Sequence, residues 1–70
     1  MITNYTVTGM TCGHCVSAVT EEVSALQGVD QVEVSLDNGG TMAITSAQPI
    51  ELDAVRAAVS EAGNYEVAQA

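Results

Sequence analysis

Hydrophobic positions change period along this chain of 70 residues. Tyr5 and Val7 alternate with Thr6 and Thr8. A half-buried strand requires this period of two, because successive side chains leave opposite faces of the pleat. Gly9 closes the run, and a first strand is predicted over 3–8. From Val16 the period lengthens. Val16, Val19, Val23 and Leu26 form one stripe of an amphipathic helix whose other face carries Ser17, Thr20, Glu21 and Ser24. Gly28 stands where a left-handed residue ends a helix. Val32, Val34 and Leu36 then alternate with Glu33 and Ser35, Asp37-Asn38-Gly39-Gly40 is turn chemistry, and Met42 and Ile44 resume the alternation. These segments predict a β-hairpin.

After Pro49, the residues Leu52, Val55, Val59 and Ala62 repeat the helical spacing and Gly63 supplies a stop, predicting a second helix over 51–62. Glu51 is a poor cap, although an acidic first turn of Glu51 and Asp53 suits the helix dipole. Tyr65 and Val67 make a short last strand. The order is βαββαβ. With right-handed crossovers it gives an α+β, ferredoxin-like open-faced sandwich: a four-stranded antiparallel sheet with two helices on one face, the apolar stripes forming the core. No linker or repeat interrupts the pattern, so one domain is expected over 1–70.

Composition narrows the functions open to such a domain. With 47% hydrophobic residues in so short a chain there is one core, and no cleft between domains for catalysis. Nine acidic residues against Arg56 alone give a net charge of −8, which phosphate backbones and anionic lipid surfaces repel. Nucleic-acid binding and membrane insertion are not expected. No apolar run approaches the roughly 20 residues that span a bilayer, and MITNYTVT has neither the basic start nor the apolar stretch of a secretory signal. A cytoplasmic location follows as the expectation. No pair of carboxylates has the pocket context of general acid–base chemistry, so an enzyme is not expected.

The chemistry lies in the two cysteines. Cys12 and Cys15 are separated by two residues where the first strand hands over to the first helix, Cys12 in the loop and Cys15 in the opening turn. The spacing lets both sulfurs face one small volume. Free amides and the positive end of the helix dipole favour the thiolate there, which is the form that binds metal. Gly13 keeps the loop narrow and Thr11 can cap the helix. Two thiolates suit Cu(I), a soft ion satisfied by few sulfur ligands, whereas structural zinc wants four ligands and iron–sulfur clusters four cysteines. A dithiol oxidoreductase is the second reading. Against it, Thr11 stands where thioredoxin-like motifs carry an aromatic, and Pro49 precedes a helix instead of facing the pair. A purely structural disulfide would close too short a loop to stabilise much.

The stretch GMTCGHC, Gly9 to Cys15, preceded by a strand and followed by an amphipathic helix ending at Gly28-Val29, resembles the heavy-metal-associated (HMA) domain. Within that family the chain looks like the small bacterial copper chaperones of the CopZ type. The resemblance covers essentially the whole chain, including EAGNYEV where the family usually has EAGYEV. It implies metal ligation by Cys12 and Cys15, with Met10 as a packing residue and not a ligand. It also implies Cu(I) as cargo, handed by thiolate exchange to the soluble domain of a copper-transporting P-type ATPase. Alternatives are an excised metal-binding domain of such an ATPase and a mercury- or zinc-binding relative. The initiating Met1 and the lack of a trailing linker favour a free-standing protein.

Two departures stand out. Asn64 is inserted before the tyrosine, and the first helix carries Glu21 and Glu22 where many family chaperones carry lysines, which implies a docking surface of reversed charge. Around the cysteines, His14 is open to three roles: third ligand, tuner of thiol acidity, or solvent-facing residue. Tyr65 can shield the metal or be ordinarily buried, and Met10 fits an apolar plug. Two thiolates on an exposed loop leave a metal open to a second molecule's cysteines, so a copper-bridged homodimer is expected as well.

Overall fold

The computed structural model describes residues 1–11 and 13–70, and of Asn38 only the backbone. Its elements are β1 (Ile2–Thr8), α1 (Gly13–Ser24), β2 (Val29–Ser35), one 3-10 turn (Asp37–Gly39), β3 (Thr41–Ser46), α2 (Leu52–Ala62) and β4 (Glu66–Gln69). The strands form one sheet in the order β2-β3-β1-β4, with every neighbouring pair antiparallel.

Register decides which side chains share a face, because directly opposed residues in a sheet point the same way. Tyr5 opposes Met42, Thr3 opposes Ile44 and Val7 opposes Val67, while Val32 and Val34 oppose Ile44 and Met42. These residues make the inner face. Val19 and Val23 from α1 and Val55, Ala58 and Val59 from α2 are buried in the same cluster. Both helices therefore cover one side, and Asn4, Glu33, Thr41 and Ala43 are left on the open one. This is the ferredoxin-like sandwich that the element order predicts.

Two local expectations need correction. α1 begins at Gly13, before the first apolar position of the stripe, and ends at Ser24, four residues before Gly28. The N–H of Leu26 donates to the Val23 carbonyl (3.1 Å), a tightened last turn, and the N–H of Val29 then donates to the Leu26 carbonyl (3.3 Å). Gly28, with φ +91°, is the third residue of that second turn. It steers the chain into β2 and does not close the helix, since a positive φ at that turn position favours glycine.

Leu36, expected in the core, is 43% exposed. Strand β2 stops at Ser35, and Leu36 (φ −86°, ψ −4°) has already turned into the 3-10 conformation, so its side chain leaves the alternation. The weak cap of α2 is as expected. Glu51 makes no side-chain cap bond, and only its carbonyl serves the helix, accepting the Val55 N–H at 3.1 Å.

Strand pairing brings three distant segments to one end of the molecule. Thr6 opposes Thr41 and Thr8 opposes Glu66, so the tip of the β2–β3 hairpin and the start of β4 both lie beside the end of β1. The cysteine motif begins there.

Candidate metal centre

The motif leaves β1 at Gly9 and enters α1 at Gly13. Met10 is 8% exposed and belongs to the core, the apolar plug expected at this junction. Thr11 is exposed, and its hydroxyl lies 4.0 Å from Cys15 Sγ. Cys12 lies outside the described residues, so the expectation that it occupies the loop has no structural counterpart here.

Cys15 is the third residue of α1. Near a helix N-terminus, backbone N–H groups lack intrahelical partners and the dipole is positive, so negative charge on a sulfur is stabilised there. The thiol is half-buried and packs against the core cluster. The stripe expected on this helix, Val16, Val19, Val23 and Leu26, does not include it. The signal was present nonetheless: Cys15, Val19 and Val23 are spaced four apart and so lie on one face of the helix. His14, one position earlier, is exposed. Among the described residues no group of three His, Cys, Asp or Glu side chains comes together.

Tyr65 reaches the motif from the other end of the chain. A methyl added to Gly9 would stand 3.3 Å from its Cδ1, and one added to Gly63 would stand 2.7 Å from its Cε2. The inserted Asn64 is absorbed in a tight bend, closed by the Tyr65 N–H donating to the Gly63 carbonyl at 2.9 Å. Glu21 and Glu22 are exposed on α1. Sequence reasoning missed Gly40, which the fold sets beneath Met10. Its place in turn chemistry was legible, but not its neighbours.

A four-stranded βαββαβ sandwich with a CxxC motif at its first strand-to-helix turn defines a class of small α+β domains that present sulfur at a helix start. The chain belongs to the heavy-metal-associated domain family, whose model matches residues 4–65. It is similar to the copper chaperone CopZ of Staphylococcus aureus, 34% identical over 61 residues that cover 87% of this chain and 88% of that protein. It is also similar to human copper-transporting ATPase 2, 35% identical over 57 residues that cover 81% of this chain and only 4% of that protein. Among solved structures, the apo form of the copper chaperone of Enterococcus hirae superposes with a TM-score of 0.79 at 26% identity, covering 97% of this chain and 98% of the other.

Proposed function

We propose that this domain carries Cu(I) between Cys12 and Cys15 and hands it by ligand exchange to the soluble metal-binding domain of a copper-transporting P-type ATPase. The observation that carries the reading is the placement of Cys15 in the first turn of α1, three residues after Cys12, inside the stretch matched by the family. The name of the S. aureus relative supports copper as the cargo, and the human relative supports an ATPase as its destination. The whole chain holds two cysteines and one histidine, a donor set that suits a soft ion of low coordination number better than tetrahedral zinc.

Transfer needs no oxidation or reduction. A partner thiolate adds to the copper to give a three-coordinate ion, and the bond to Cys12 breaks. A second partner thiolate then displaces Cys15. Each incoming thiol gives its proton to solvent and each departing thiolate takes one up, so charge and protons balance. Cys12, expected in the loop, is the entry and exit ligand, while Cys15 is held by its packing. The domain is thus a carrier and not an enzyme, working where thiols stay reduced, in the cytoplasm. A second copy's cysteines can add to the same ion, which joins two copies through copper.

A titration of the reduced protein with Cu(I) against a competing chelator tests the reading. Cys12→Ser and Cys15→Ser should each lose tight binding, and a double variant that still competed with the chelator would overturn the assignment.

A further inference from the structure

We propose that Gly40, at the tip of the β2–β3 hairpin, is a positioning residue for the cysteine loop. As far as copper is concerned, this rests on the reading above. Gly40 is buried and has φ +118°. Its carbonyl accepts the N–H of Val7 at 3.0 Å. A methyl group at position 40 would stand 2.0 Å from the Val7 carbonyl oxygen and 3.1 Å from Met10 Cε.

One glycine thus holds the chain twice on its way to the motif. A hydrogen bond ties it to the backbone at Val7, and its missing side chain leaves the space that the buried Met10, two residues before Cys12, would otherwise have to yield. Groups that orient metal ligands without touching the ion commonly change affinity 10- to 100-fold when replaced. Positive φ does not explain the role, because Gly39 shares it (φ +84°) and a methyl there would meet nothing within 4 Å. The two neighbours therefore separate backbone strain from contact with the loop.

The experiment compares wild type, Gly39→Ala and Gly40→Ala in two readouts: the amide NMR shifts of residues 8–15 in the metal-free protein, and Cu(I) affinity by chelator competition. Gly40→Ala should move the loop amides and weaken copper binding roughly tenfold, while Gly39→Ala lowers stability and leaves both readouts at wild-type values. A folded Gly40→Ala protein with unchanged loop amides and affinity overturns the proposal, as does a Gly39→Ala protein that moves both equally. If Gly40→Ala does not fold, Met10→Leu withdraws the terminal methyl from Gly40, and it should shift the same amides and weaken copper. Unchanged values there overturn the proposal too. Loop amides that respond in a protein whose wild type fails to bind Cu(I) would end the copper reading and leave the positioning role standing.

Discussion

The ring of Tyr65 lies against Gly9, close enough that a methyl on Gly9 would stand 3.3 Å from Cδ1. The same ring folds back over Gly63, where a methyl would come within 2.7 Å of Cε2 and 2.9 Å of Cζ. Tyr65 is therefore wedged between a glycine that opens the cysteine motif and one that follows α2. The first residue of the motif is flanked by Tyr65, the residue just before β4, while the missing side chain of Gly40 leaves room for Met10.

Gly63→Ala should accordingly displace the ring and destabilise the fold by about 1–3 kcal/mol, the usual cost of overpacking. In a Tyr65→Ala background the same change should cost much less, because the atoms it strikes are gone. Urea unfolding of the four proteins of that cycle measures the coupling. Equal costs in the two backgrounds would mean that Gly63 matters for another reason.

Burial of Tyr5 raises its phenol above its ordinary value, an effect that a hydrogen bond with the Thr3 side chain partly offsets. The folded protein therefore holds this proton more tightly than the unfolded chain. The associated stability is fully present below the unfolded phenol value of about 10 and is lost as pH rises through the folded one. Urea midpoints from pH 9 to 11.5 should fall more steeply for wild type than for Tyr5→Phe. Parallel curves would refute the assignment.

Two apolar residues near the same hairpin should behave in opposite ways. Met42, 1% exposed between β1 and β2, should cost about 2–5 kcal/mol on replacement by alanine. Leu36→Ser should stay within about 0.5 kcal/mol of wild type, since that side chain already meets water. Thermal unfolding of both variants decides whether the 3-10 turn removes Leu36 from the core.

Docking charge is tested at Glu21 and Glu22, both exposed on α1, the helix that carries Cys15. Replacing both by lysine should slow copper transfer to an ATPase domain at low salt, and high salt should narrow the gap, because exposed charges are screened beyond ~10 Å at 0.1 M. A rate and salt dependence equal to those of wild type would leave these carboxylates as solubilising residues.

Hydrophobic period alone determined the element order of this protein, and with it the sandwich. A stripe at 3.6 residues or an alternation at two is a local property that tertiary packing had only to accept: Val19 and Val23, Val55 and Val59, Tyr5 and Val7 are all buried as the pattern requires. The CxxC motif was equally legible, being written within four consecutive residues. Element ends were not. Gly28 and Leu36 were misread because a turn competes with the helix or strand it follows, and the outcome depends on where the next strand must pair. Tertiary structure alone decided what surrounds the motif. Gly40 and Tyr65 lie 30 and 55 positions beyond Met10; nothing local marks Gly40 as a neighbour of the cysteine loop, and Tyr65 was a candidate only through the family resemblance. They arrive there because the antiparallel register sets the start of β3 and the start of β4 against the end of β1.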